Sequence, residues 1–149
     1  MQQFKIDNFL RDNPGAKPPE FVPLTDSEVV DVASRLVNAA GRPGGTPEEI
    51  IRLLNKNAVP LERVNLDEEE LSLQEVFKKA GIHPAQAVYV EWGALRDIDR
   101  FRTDDLERHF YDVWYASADD IEIFDESFGW LMFIRHYGGV EIWHPRRAG

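Results

Sequence analysis

Residues 119–143 read DDIEIFDESFGWLMFIRHYGGVEIW, and this stretch decides the fold class. Ile121 and Ile123 alternate with their neighbours, which is the two-residue period of a strand with one buried face. The run WLMFIRH then gives a nearly continuous apolar strand, and VEIW gives a third. The turn DESFG and the Gly-Gly pair at 138–139 separate these segments. The sequence therefore predicts three consecutive antiparallel strands at this end of the chain.

Capping boxes in the first half of the chain predict helices, because each box pairs a hydroxyl with a carboxylate three residues later. The pairs are Thr25 with Glu28, Thr46 with Glu49, and Ser72 with Glu75. The apolar spacing after each box predicts helices over 26–40, from 46 to 57, and from 72 to 81. A shorter helix, capped by Thr103, is expected to continue through Tyr111.

Together these elements predict an α+β fold in a single domain. We expect helices mainly in the N-terminal half, packed on a C-terminal antiparallel sheet of about four strands. The fourth strand is the alternating run AQAVYVEW at 85–92. Residues 58–66 are interpreted as an edge strand or a loop, because Pro60 interrupts the alternation. Residues 1–24 contain several prolines and are expected to form an extended arm.

The composition restricts the classes of function. The formal net charge of −10 argues against binding nucleic acid through its phosphates and favours a basic protein partner. The chain has no cysteine, which excludes disulfides and thiol catalysis and fits the cytoplasm. It also has no signal-peptide core and no apolar run of about 18 residues, so no membrane segment is expected. Because no phosphate-binding or other cofactor motif is present, no cofactor is expected.

The strongest functional signal is a segment in which acids and aromatic rings are both dense. Residues 103–128 carry nine Asp or Glu side chains against one Arg. Trp and Tyr are common binding anchors, and clustered carboxylates speed association with a cation, so we predict one solvent-facing, partner-binding patch. Its residues are Trp114, Tyr115, Asp119, Asp120, Glu122, Asp125 and Glu126. The alternative is that the rings are the core side of amphipathic elements and the acids a solvated face opposite them.

Two other functions stay open. A small enzyme would use His136 and His144, which end strands on either side of the Gly-Gly turn, together with nearby carboxylates. A structural adaptor would use exposed aromatic side chains to form an oligomer. No metal is assigned, because the acids at 119–126 do not have the spacing of a calcium-binding loop.

The order of these segments resembles that of a known family. A proline-containing arm, a first helix, a Pro-led second helix (GTPEEIIRLL) and the C-terminal meander are similar in organisation to bacterial immunity proteins of the SUKH superfamily. The resemblance implies a non-enzymatic protein that binds and neutralises a toxin, often a nuclease. An acidic surface suits that task, because a nuclease is cationic where it holds phosphate.

Overall fold

The strands form one antiparallel sheet in this computed structural model, which describes residues 1–42 and 44–145. Within those residues there are seven strands: β1 (Phe21–Pro23), β2 (Val59–Asn65), β3 (Ala87–Glu91), β4 (Ile98–Arg102), β5 (Ile121–Phe124), β6 (Leu131–Ile134) and β7 (Gly139–Trp143). Their order across the sheet is β1-β4-β3-β5-β6-β7-β2. The predicted meander is confirmed as β5, β6 and β7, and it lies beside the predicted strand β3.

Six helices accompany the sheet in the described residues: α1 (Gln3–Asp12), α2 (Asp26–Ala39), α3 (Pro47–Asn57), α4 (Leu73–Ala80), α5 (Thr103–Arg108) and α6 (Phe110–Val113). The boxes at Thr25 and Thr46 are both formed, each with hydrogen bonds in the two directions. Ser72 accepts from the backbone of α4, and Gly81 ends that helix with a φ of 69°. No helix of the described chain combines the length and the apolar character that crossing a bilayer requires.

Both faces of the sheet are buried. On one face Leu36 of α2 and Ile50 of α3 pack in a cluster with Phe124. On the other face α4, α5 and α6 cover a second cluster, to which Ile123 belongs. Because neighbouring residues of a strand point to opposite faces, Ile123 and Phe124 can serve different cores. The α+β fold is confirmed, with helices on both sides of the sheet; α1 to α4 precede β3, as the expectation of helices mainly in the N-terminal half requires, whereas α5 and α6 lie in the C-terminal half.

The prediction of about four strands is wrong, and the missed strands have physical reasons for their weak signal. β4 reads IDRFR, and its polar Asp99 is buried, so the apolar alternation is broken. β1 has three residues and contains Pro23, which is tolerated because β1 is an edge strand. β2 is the opposite edge strand and carries Pro60. Of the two interpretations of residues 58–66, an edge strand or a loop, the edge strand is therefore the one observed.

The expected extended arm over residues 1–24 is in fact largely structured. Residues 3–12 form α1, whose buried side chains are Lys5 and Phe9. The prolines of this segment all lie after residue 13, so they do not oppose a helix before it. Residues 21–23 pair with β4 as β1.

The single helix predicted from Thr103 to Tyr111 is divided in two at His109, where φ is −115°. Thr103 is the first residue of α5, not its N-cap, and its hydroxyl donates to the carbonyl of Ala85 at 2.5 Å. The hydroxyl therefore links α5 to the loop before β3.

Candidate functional site

Trp114, the predicted binding anchor, belongs to the core. It is 1% exposed and stacks on Phe110 with ring centroids 5.8 Å apart. Its indole N–H donates to the carbonyl of Asp119 at 2.9 Å. The neighbouring Tyr115 is only half-buried and lies edge-on to the exposed Phe4 of α1. Of the two predicted aromatic anchors, only Tyr115 therefore reaches the surface.

Asp119 is buried by α1. Its carboxylate accepts a hydrogen bond from the Lys5 ammonium at 2.5 Å and another from the backbone N–H of Tyr115 at 2.8 Å. The adjacent Asp120 is exposed and accepts from both the backbone N–H and the ring Nδ1 of His136, at 2.7 and 3.0 Å. The two neighbouring acids thus have different environments, because successive residues face opposite ways.

Glu122 lies in the interior beside a second carboxylate. It is directly opposite Glu91 on the neighbouring strand β3, and both side chains are buried. One oxygen of Glu91 accepts the backbone N–H groups of Gly93 and Leu95 at 2.5 and 2.9 Å. The other oxygen, Oε2, is buried and accepts no hydrogen bond from the residues that the structure describes. Burial and the adjacent Glu91 carboxyl raise the pKa of Glu122 to about 10, so Glu122 carries a proton at neutral pH that can satisfy this oxygen.

Asp125 has a structural role at the other end of β5. Its carboxylate accepts from the backbone of Ala85, from the backbone and hydroxyl of Ser127, and from the indole of Trp130, at 2.5–3.2 Å. It therefore fixes the β5–β6 turn to the loop before β3. Glu126 is exposed at the tip of that turn.

The expectation of one solvent-facing patch is therefore wrong. Tyr115, Asp119 and Asp120 lie near the beginning of β5, whereas Asp125 and Glu126 follow its end. Four of the seven predicted residues are buried: Trp114, Asp119, Glu122 and Asp125. The packing of α1 and of the neighbouring strands, which no local pattern encodes, removes them from solvent.

The two histidines of the enzyme hypothesis are separated. His136 follows β6 and His144 follows β7, and these strands are antiparallel, with Leu131 opposite Trp143. The histidines therefore lie at opposite ends of the hairpin, and both are exposed. His144 contacts the carbonyl of Gly129 at 3.2 Å through its Nδ1. No common site contains the pair.

A groove of about 1040 Å³ lies between α4, α5 and the ends of β3 and β4. Its lining includes the basic side chains of Lys78, Arg100 and Arg102 and the apolar side chains of Phe77 and Ile82. None of the seven predicted partner-binding residues lines this groove. In the parts of the chain that the structure describes, no three His, Asp or Glu side chains are grouped as metal ligands.

An exposed acidic surface does exist at the end of the sheet where β2 and β6 finish. Asp67, Glu68, Glu69 and Glu70 are all exposed and follow β2 directly. They lie beside the β6–β7 turn, where the N–H of Leu66 donates to the carbonyl of Gly138 at 2.9 Å. Tyr137 in that turn is 53% exposed. We call Asp67–Glu70, Asp120 and Tyr137 the acidic rim.

The acidic rim is held in a defined shape. The side-chain oxygen of Asn65 accepts the backbone N–H groups of Asp67 and Glu68 at 2.9 and 3.1 Å. Gly138 has a φ of 92°, and a Cβ there would lie 2.4 Å from Asn65 Oδ1 and from the backbone nitrogen of Asp67. The contacts continue from Tyr137 through the adjacent ring of His136 to Asp120. The turn, the hairpin and Asp120 therefore form one connected surface.

The four acids at 67–70 contribute negative charge to the rim that no ion pair in the described chain offsets. Within residues 1–42 and 44–145, none of the four acids at 67–70 forms an ion pair. Burial, followed by the charges of Glu70 and Glu75, raises the pKa of Tyr111 to about 12, and its hydroxyl donates to the carbonyl of Leu71. The run DEEE is visible in the sequence and is the signal that could have located this surface.

Comparison with known proteins gives no match to a family model, a curated protein or a solved structure. The resemblance to SUKH immunity proteins therefore stays a prediction.

Proposed function

We propose that this protein is an acidic binding module that uses the acidic rim to hold a basic protein partner. The observation that supports the proposal is that the exposed carboxylates of residues 67–70 adjoin the β6–β7 turn, which carries the exposed Tyr137 and is linked through His136 to the exposed Asp120. A surface of this kind attracts a cationic partner over a distance and offers a tyrosine as an anchor on contact.

The rim suits occlusion better than catalysis. Its carboxylates lie on an open surface formed by a turn and a hairpin, and they do not surround the 1040 Å³ groove. The described structure also separates His136 from His144, which leaves the enzyme hypothesis without its histidine pair. An immunity or antitoxin-type inhibitor that covers the basic surface of a toxin or nuclease is the form of binding that we propose first.

The experiment is affinity capture with two charge-matched variants. In the rim variant Asp67, Glu68, Glu69 and Glu70 are replaced by the corresponding amides. In the control variant the exposed acids Asp26, Asp31, Glu62 and Glu126 are replaced in the same way. Both variants lose four negative charges, so they differ only in where the charges are lost.

We expect the wild-type chain and the control variant to capture the same basic protein from an extract of the source organism at low salt. The rim variant should capture it poorly, because the steering charge at the contact surface is gone. Equal capture by the two variants would contradict the proposal, since only overall charge would then matter.

A further inference from the structure

The ammonium of Lys5 is enclosed by a set of groups that recognise cations. Lys5 is 1% exposed, and its Nζ donates to the carbonyl of Val113 at 2.7 Å and to the carboxylate of Asp119 at 2.5 Å. The same Nζ lies 4.3 Å from the ring centroid of Trp92 and 4.9 Å from that of Tyr115. Two aromatic faces, a carboxylate and a carbonyl around one ammonium form an aromatic cage.

The walls of this cage are held by bonds that do not involve Lys5. The carboxylate of Asp119 accepts the backbone N–H of Tyr115 at 2.8 Å. The indole of Trp92 donates to Asp99 at 2.8 Å, and its backbone N–H donates to the carbonyl of Asp97 at 2.9 Å. These bonds come from β4, β5 and the loops beside them, so the cage should keep its shape when the Lys5 ammonium alone is removed.

The segment that carries Lys5 is fastened on both sides of that residue: the amino group of Met1 pairs with Asp99, and Asn8 donates to the hydroxyl of Tyr115 at 3.2 Å. Lys5 and Phe9 are the buried residues of α1, whereas Phe4 and Leu10 are largely exposed. Phe9 packs edge-on against His109 and belongs to neither core cluster. Displacing Lys5 would empty the cage, and lifting α1 would also break the Met1–Asp99 and Asn8–Tyr115 contacts and the packing of Met1 on the core, so a partner must replace these contacts as well.

We propose that Trp92, Tyr115, Asp119 and the Val113 carbonyl form a binding site for a primary alkylammonium group, which Lys5 occupies in the free protein. The two hydrogen-bond acceptors require N–H donors, so a primary ammonium fits the site better than a quaternary one. The identity of the natural occupant rests on the proposed function: it is a lysine side chain of the basic partner, which exchanges with Lys5. Asp119 in the cage is followed directly by Asp120 of the acidic rim, but the two side chains face opposite ways, so the partner must contact two adjoining faces.

The first test uses the full-length Lys5→Ala variant and small probes, with binding measured by calorimetry. We expect n-butylammonium, an analogue of the lysine side chain, to bind at least about tenfold more tightly than n-butanol or n-butyltrimethylammonium. Wild-type protein should bind n-butylammonium at least about tenfold more weakly than the variant, because Lys5 fills its site. The second substitution Asp119→Asn should remove the preference for the cation. Equal binding of n-butylammonium and n-butanol would overturn the proposal.

A second readout applies if Lys5→Ala does not fold. n-Butylammonium should then restore the circular dichroism spectrum, and n-butanol with an equal concentration of sodium chloride should not. If neither compound restores the spectrum, or if both restore it equally, then the space that the Lys5 ammonium occupies in the wild-type chain does not recognise an ammonium.

The natural occupant is tested with oligolysine and oligoarginine peptides of equal length. Lys5→Ala should gain affinity for oligolysine only, because the cage holds a compact ammonium, whereas neutralising residues 67–70 should weaken both peptides alike. No difference between the peptides would overturn the lysine assignment and leave the rim proposal intact. If rim neutralisation has no effect but the lysine preference persists, the rim proposal fails and the cage stands.

Discussion

Glu91 and Glu122 lie directly opposite each other on β3 and β5, and both carboxyl groups are buried. Burial and the neighbouring Glu91 carboxyl raise the pKa of Glu122 to about 10, so Glu122 keeps its proton at neutral pH. One oxygen of Glu91 accepts the backbone N–H groups of Gly93 and Leu95. The carboxyl proton of Glu122 is therefore available to Oε2 of Glu91, for which the described residues show no other hydrogen-bond donor.

This pair makes stability depend on pH. The pKa of Glu122 is raised from 4.5 to about 10 in the folded chain, so folding retains a proton that the unfolded chain releases above pH 4.5. The protonated Glu122 therefore contributes its full share to the free energy of unfolding below pH 4.5, and this contribution is lost progressively as the pH rises toward 10. Glu122→Gln supplies a permanent donor, and should be more stable than wild type by about 2 kcal/mol at pH 8 and by much less at pH 5.

Urea unfolding at the two pH values measures this difference, with Glu126→Gln as an exposed control. An advantage of Glu122→Gln that is the same at both pH values would contradict the raised pKa of Glu122.

Much of the architecture was predictable because its signals are local. A capping box at Thr25 or the alternation around Ile123 involves residues that are close in sequence, and those elements are confirmed. The positions of the candidate site residues depend on contacts across the whole chain. Lys5 buries Asp119 from 114 residues away, and Glu91 meets Glu122 only after β3 and β5 pair. The hydrophobic periodicity of the sequence carries no signal of such contacts. Acids that were predicted to lie on the surface are therefore buried.

The Lys5–Asp119 ion pair is expected to contribute strongly to stability, because its members are removed from water. Lys5→Met should cost about 3 kcal/mol, since it leaves Asp119 buried beside an apolar chain. Adding Asp119→Asn should recover part of that loss, because the uncompensated charge is then removed. A double-mutant cycle by chemical denaturation measures the coupling, with Arg11→Met in the exposed Arg11–Asp12 pair as the control. Strictly additive effects would contradict a direct interaction.

The shape of the acidic rim depends on Gly138. Gly138→Ala combines a φ of 92° with a Cβ that would lie 2.4 Å from Asn65 and Asp67, so it should cost about 2 kcal/mol or more. Gly93→Ala is the matched control, because nothing lies within 4 Å of its Cβ and its φ is not in the left-handed region. Thermal unfolding compares the two variants. Equal melting temperatures would mean that the β6–β7 turn and the turn at 65–67 are not in close contact.

The central claim, that the acidic rim meets a basic partner, is tested most directly by the salt dependence of the association rate. The rate at which the captured partner associates with the wild-type chain, the rim variant and the control variant is measured at about 0.05 and 0.5 M salt. For the wild-type chain and the control variant, we expect the association rate to fall at least about tenfold between the two conditions. The rim variant should associate slowly at both salt concentrations. A rim variant that keeps the wild-type rate and the wild-type salt dependence would contradict the account.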